Sequence, residues 1–302
     1  MSGFETYAEI QTALRSGQEE RRVVVFGNVG RKFTQWVDLF GVVKFPGGVA
    51  GSHPTPALTA VAYTHGDVGS IVLRAPRAGN RQHLVEVVHA VGCSHAIEAC
   101  GTMLLHDRLL AYGGIDHTIA TLQNMTNGVG LPRKVSGLGV RVALVASTAR
   151  NAATQRTLTV TYTNEHGDGG RTGTIVVPVS TGFSEASWVV STADTQPLFM
   201  TPQAGDFGVQ SIESAQFDGT STAGVSDLTL VYPITMWGND QYYLNELAGF
   251  PSDGPSAMSL IRERAVFPIL DGDECLSLFW VIPGTNPFHD NSSALVFQTV
   301  EN

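Results

Sequence analysis

Charge is scarce in this 302-residue chain: only 15% of residues are Asp, Glu, Lys or Arg, against ~25% in typical soluble domains. The balance is acidic, with a net charge of -9. Its basic clusters, Arg21-Arg22 and Arg31-Lys32, are too short to form a phosphate-tracking stripe, so no nucleic-acid partner is expected. Cysteine is rarer still. Cys93, Cys100 and Cys275 are odd in number and lack CxxC spacing, which excludes a disulfide framework and a thiolate zinc centre. They read as reduced thiols in or near a core. No segment approaches the ~18 consecutive apolar residues of a spanning helix, so no membrane association is expected. The start, Met1 to Tyr7, has neither a basic nor an apolar run, and synthesis in the cytoplasm without a signal peptide is the corresponding expectation.

Familiar catalytic signatures are missing as well. The sequence contains no HExxH, no Walker A loop and no strand-linked GxGxxG. Gly182-Phe183-Ser184-Glu185-Ala186 lacks the second glycine of a nucleophile elbow. Acid pairs such as Asp38 and Asp67 keep a glycosidase formally open, because sequence cannot place them in space. The expected answer is no enzyme and no cofactor.

What is abundant is β pattern. Thr and Gly recur, one β-branched and the other suited to tight turns. Runs such as Arg22–Phe26, Trp36–Phe40, His83–Val91, Thr102–Leu110, Leu138–Ala146, Asp227–Tyr232, Leu276–Ile282 and Ala294–Val300 read as short strands broken by Gly, Asn and Pro. In Thr157–Thr163, Leu158, Val160 and Tyr162 share one face and the threonines the other. The glycine-rich turn Asn164–Gly170 leads to Thr174–Val177, predicting a β-hairpin. One helix is predicted at the N-terminus, where Ser2 and Glu5 fit a capping box and Phe4, Tyr7, Ala8 and Leu14 follow helical spacing up to Gly17. The fold class is therefore all-β: two β-sandwich or jelly-roll-like domains plus a short N-terminal helix. Breaks at Gly130–Arg133 and Tyr232-Pro233 divide the chain. Residues 1–132 with 236–302 form a discontinuous domain, into which 133–235 is inserted.

Two polar clusters bear on binding. His83, His89, Cys93, His95, Cys100, His106, Asp107, Asp116 and His117 are dense enough to raise the question of a metal. On extended strands, however, these side chains spread apart, and turn or strand-end roles are the simpler reading. Asp107 reads as a cap for buried backbone amides. Asp271-Gly272-Asp273-Glu274 sits between two strand runs, where a turn favours Asp-Gly, and calcium is the alternative. The candidate contact surface is Trp237, Tyr242, Tyr243, Leu247 and Phe250, together with the helix residues Phe4, Tyr7 and Leu14. The competing reading is that these side chains cover the protein's own core.

Several segments carry a resemblance. Arg31–Leu39 is similar to the "GRWVDLS" stretch of a group of tailed-phage and prophage virion structural proteins. Met103–Leu109 with Gly114-Ile115-Asp116 resembles that group's "LLLxDxLxxxxxID", and Leu131-Pro132-Arg133 its "LPRY". Thr161-Tyr162-Thr163-Asn164 with Gly170-Arg171 resembles "TYTNxxGxxGR", and Gln203–Val209 resembles "QAGDTGVRSV". The likeness runs in order from about residue 4 to 300. It departs at Lys134, where an aromatic is usual, and in a longer Trp237–Ser256 segment. The resemblance implies a non-enzymatic structural component located in the virion, with no catalytic residues to carry over. A capsid decoration or cement protein is the leading expectation, with a tail, baseplate or fibre-attachment protein, capable of binding a host glycan, as the alternative. The implied partners are other virion proteins (major capsid protein or tail proteins) and further copies of the chain, as a homo-oligomer such as a trimer.

Overall fold

The computed structural model describes residues 12, 19–26, 36–41, 51–77, 80–92, 102–152, 154–183, 189, 197–238, 256–258, 268–281 and 292–301. Within them the chain is β-rich. At its centre lies a sheet of β2 (Trp36–Asp38), β16 (Leu276–Val281), β5 (Thr102–Asp116), β13 (Val225–Gly238) and β7 (Arg141–Ala146), in that order, with β3 (Ala60–Ala62) also paired to β5. A second sheet runs β1 (Glu19–Phe26), β17 (Ser292–Glu301), β4 (Gln82–Gly92), β14 (Ser256–Met258), with β15 (Ile269–Leu270) on β4. The third runs β10 (Arg171–Val177), β9 (Arg156–Asn164), β12 (Val209–Phe217), β6 (Gln123–Asn124). A small ribbon joins β11 (Ser180–Phe183) to β8 (Arg150–Ala152).

The central sheet is shared by two cores. Met103 and Leu105 of β5 pack with Leu278 and Trp280 of β16 against Leu84, Val87 and Phe297 of the second sheet. Further along β5, Leu110 and Tyr112, with Leu228 and Leu230 of β13 and Val142 and Leu144 of β7, pack on Leu158, Val160, Tyr162 and Ile212 of the third sheet. Alternation sends Leu104, Phe279, Val231, Ala143 and Val145 to the reverse face, where Val189 joins them. Near-continuous apolar runs such as Arg141–Ala146 make sense here, because the strand is covered on both sides.

The predicted hairpin forms: β9 and β10 pair with Tyr162 opposite Arg171 and Leu158 opposite Ile175. Leu158, Val160 and Tyr162 are fully buried, while Thr159 faces out. The sheets run across the expected divisions at 132 and 235. β5 lies before the first division, yet it pairs with β13 over twelve register positions from Val225 to Gly238. Of the predicted N-terminal helix, only Thr12 is among the described residues, and Phe4, Tyr7 and Leu14 lie outside them.

The third sheet leaves little free edge. On β12, the N–H of Ile212 donates to the Tyr112 hydroxyl (3.1 Å) and its carbonyl accepts from Asn127 Nδ2 (2.9 Å). On β10, Thr174 and Thr201 exchange backbone bonds at 3.0 Å. Such covering removes the row of unpaired amides that invites unwanted strand addition.

Truncating a core residue and its outward neighbour should separate packing from propensity. Leu158→Ala is expected to cost about 2–5 kcal/mol in chemical denaturation. Thr159→Ala, one residue away on the exposed face, should stay within about 0.5 kcal/mol.

Candidate functional site

The polar residues that the fold gathers form ion pairs, each joining elements distant in sequence. On β5, Asp107 and Arg108 are consecutive and so point to opposite faces of the central sheet. Each finds its own partner. Arg108 NH1 donates to Asp38 Oδ2 at 2.5 Å, both side chains being almost wholly buried. Its NH2 donates to Thr229 Oγ1 at 3.2 Å. The guanidinium carbon lies 4.3 Å from the Phe40 ring centroid and 5.0 Å from that of Tyr63, within cation–π reach of both. Asp38 Oδ1 also accepts the Phe40 N–H at 3.1 Å, which shapes the 3-10 turn Leu39–Gly41. Burial works against the Arg108 charge, but the Asp38 carboxylate outweighs it and holds Arg108 above its ordinary value.

Asp107 takes a two-pronged grip from Arg133, with Nε to Oδ2 at 2.9 Å and NH2 to Oδ1 at 2.7 Å. It also accepts the Cys275 N–H at 2.9 Å. Arg133 reaches two carbonyls as well, of Tyr63 (3.1 Å) and Arg108 (3.2 Å). Burial raises the Asp107 pKa, and the bonds from Arg133 restrain that rise. The capping role expected of Asp107 is the one it performs: it satisfies a buried amide and docks the Leu131–Arg133 turn.

A third carboxylate organises the third sheet. Asp206 accepts from the Tyr162 hydroxyl (2.6 Å), Asn164 Nδ2 (3.0 Å), Arg171 Nε (3.0 Å) and Arg171 NH2 (2.8 Å). With four donors on two oxygens, the Arg171 bonds foremost, the acid is held well below the usual carboxylate range. Nearby, Glu165 accepts the N–H groups of Phe207 (3.0 Å) and Gly208 (2.9 Å). These bonds fasten the 203–208 turn to the end of β9.

Beside the Arg108 pair lies one further contact. His53 Nδ1 is 2.6 Å from Asp227 Oδ2. The imidazole is 41% exposed and the carboxylate 2%. The hydrogen bond to Asp227 outweighs partial burial and raises the His53 pKa above 6.5.

The histidines of the predicted polar cluster do not converge. His106 stacks on Phe279, ring centroids 4.2 Å apart. His117 packs on Phe217 at 4.5 Å, and its Nε2 lies 2.7 Å from Ser226 Oγ. Burial pushes His106 down to about 4 and His117 to about 3. His83 stands on β4 at the sheet end. His89 lies on the same strand with its side chain outside the described set, while Cys93, His95 and Cys100 fall outside it entirely. Among the described residues, no group of three or more His, Cys, Asp or Glu is placed to hold a metal ion. Asp271–Glu274 is a turn: Glu274 accepts the N–H groups of Asp271 (2.6 Å) and Gly272 (2.8 Å), and Gly272 has φ +88°. Cys275 is a buried free thiol. Asp67 accepts the Thr64 N–H at 2.7 Å. Of the proposed contact surface, Trp237 stands on β13 opposite Met103, its side chain outside the described set, as are Tyr242, Tyr243, Leu247 and Phe250 altogether.

A different apolar group emerges at the surface. Val135, Leu138 and Phe207 are 75%, 58% and 63% exposed. They stand on adjoining loops joined by the Leu138–Gly208 bridge and the Gly139 N–H to Phe207 carbonyl bond of 3.1 Å. The backbones touch so closely that a Cβ on Gly208 would meet the Gly137 carbonyl oxygen at 1.9 Å. Sequence pattern passed over this group because Leu138 reads as the start of a buried strand, which begins only at Arg141, and Val135 and Phe207 are isolated among turn formers.

No protein-family profile matches the chain. No curated protein matches it either. Among solved structures it is similar to infectious bursal disease virus Gt strain, at 9% identity and TM-score 0.21, covering 94% of this chain and 80% of that one. It is also similar to T=1 particles derived from infectious bursal virus, at 10% identity and TM-score 0.20, over 94% and 78% of the two chains. The Gx strain gives 11% identity and TM-score 0.20 over 94% and 81%. At these scores the likeness carries no argument.

Two outcomes follow from the geometry. Arg108→Met strands the Asp38 carboxylate and should cost about 3–5 kcal/mol, whereas the double variant Arg108→Met/Asp38→Leu should recover much of that loss in urea melts. The lowered pKa values of His106 and His117 set the acid limb. Their contribution is complete well above pH 6.5, where both are neutral folded or unfolded, and is lost as pH drops from 6.5 towards 4 and 3. His106→Leu should flatten that slope in melts recorded between pH 7 and pH 4.

Proposed function

We propose that this protein is a non-enzymatic structural component of a tailed-phage virion, and that it acts as a decoration or cement protein on the capsid. The observation that carries the reading is the group of Val135, Leu138 and Phe207, held out to solvent on loops whose backbones are tightly fixed. Large apolar side chains on a rigid support suit burial against another protein, because little conformational entropy is lost when they dock. The resemblance of Arg31–Leu39, Met103–Leu109, Leu131–Arg133, Thr161–Arg171 and Gln203–Val209 to virion proteins supports the same reading. So does the use of buried acids: Asp38, Asp107 and Asp206 are each committed to an arginine.

On this reading, copies form a homo-oligomer, a trimer at a threefold position of the head lattice, and contact the major capsid protein. Repeated interfaces of standard size, about 1,600 Å² each, would reinforce a shell without one dominant site. Immunogold labelling of intact particles, with copy number from quantitative gels, tests it. Labelled heads with hundreds of copies are expected, and label confined to tails at a handful of copies overturns the capsid assignment. Phe207→Asp should leave the isolated protein folded, as judged by circular dichroism, while lowering its incorporation into particles at least tenfold.

A further inference from the structure

We propose that His53 and Asp227 form a pH-operated fastener, which holds residues 51–58 against the central sheet at acidic to neutral pH and releases them when the solution turns alkaline. The sequence builds the seat for it. Where β5 meets β13, Gly113 and Gly114 together oppose the single Asp227, a bulge in which Gly114 takes φ +78°. The missing side chains leave room for the crossing segment: a Cβ on Gly113 would come within 2.3 Å of the Pro54 carbonyl oxygen. The segment is tied by backbone at its two ends, Gly51 N–H to Phe40 carbonyl (2.7 Å) and Leu58 N–H to Gly113 carbonyl (2.6 Å). Between those ties, Pro54 and Pro56 have no N–H to give. Among the described residues, His53 supplies the one side-chain bond from this stretch to the sheet.

The charges beneath make that bond conditional. Facing His53 are Asp227 from β13, Asp38 from β2 and Arg108 from β5, with the Tyr63 hydroxyl alongside. Arg108 is committed to Asp38 and Thr229, and Asp227 Oδ1 has no hydrogen-bond partner. With His53 protonated, two carboxylates face two cations and the group is neutral. When the proton leaves, one buried carboxylate is uncompensated, a costly arrangement in a water-poor interior. Opening lets water reach Asp227 and also bares the Phe40 ring, against which Gly51 packs. The raised His53 pKa fixes the sign: the fastener's contribution is complete below pH 6.5 and is lost as pH climbs through the higher folded value.

Hydrogen–deuterium exchange between pH 6 and pH 9, corrected for intrinsic amide rates, tests this, with the Arg156–Asn164 strand as internal reference. Protection of residues 51–58 should fall about tenfold or more across the range, while the reference stays flat. In His53→Gln and Asp227→Asn the segment should show a pH-independent protection. Constant protection in the unaltered protein, or an unchanged pH profile in His53→Gln, overturns the proposal. Should either variant fail to fold, the His53 imidazole titration by NMR in the unaltered protein decides: a midpoint above 6.5 supports the fastener, and one at or below 6.5 overturns it.

Discussion

The Arg108 guanidinium is the constraint around which the rest of this protein is arranged. A permanent cation buried in the central sheet is tolerable only with an anion in contact and further polar or polarisable partners around it. Asp38 supplies the anion, Thr229 an acceptor, and the Phe40 and Tyr63 rings a polarisable lining. Meeting that demand fixes where β2 must pair, how the chain turns after it, and which loop lies above. The neighbouring Asp107 imposes a mirror requirement on the other face, answered by Arg133. Two adjacent residues thus pin one turn above the sheet and another below it.

Much of the architecture was legible in the sequence because burial on one face writes a period of two. The β9–β10 hairpin could be read directly: Leu158, Val160 and Tyr162 alternate with threonines, and a glycine-rich turn follows. The Asp271–Glu274 turn was equally readable from its Asp-Gly pair. Pairing between β5 and β13 was not, since both strands are largely buried on each face and alternation carries no information about which distant strand lies alongside. The division of the chain into an outer and an inserted piece rested on Pro and Gly breaks, which mark turns whether or not a sheet continues past them.

The polar centres show the same limit in a different form. Asp107 could be recognised as a cap, because an isolated acid inside an apolar strand needs donors nearby. Its partner Arg133 could not, and neither could the convergence of Tyr162, Asn164, Arg171 and Asp206, because local sequence says nothing of contacts across 26 or 42 residues. The short segments Arg31–Leu39, Met103–Leu109, Leu131–Arg133, Thr161–Arg171 and Gln203–Val209 hold these pairs: Asp38 with Arg108, Asp107 with Arg133, and Arg171 with Asp206. What looks like a string of short signatures is a set of matched charges. The histidines, dense in sequence, face apart as alternation along strands implies, and aromatic rings take up His106 and His117.

The fifteen-residue strand β5 enters both major cores. In mechanical terms it is a continuous beam, and its two ends are clamped by different layers. A pull applied to one layer is carried along the strand axis to the other, where it meets many hydrogen bonds loaded together in shear. Because one strand belongs to both cores, force arriving at one of them is passed along its backbone to the other.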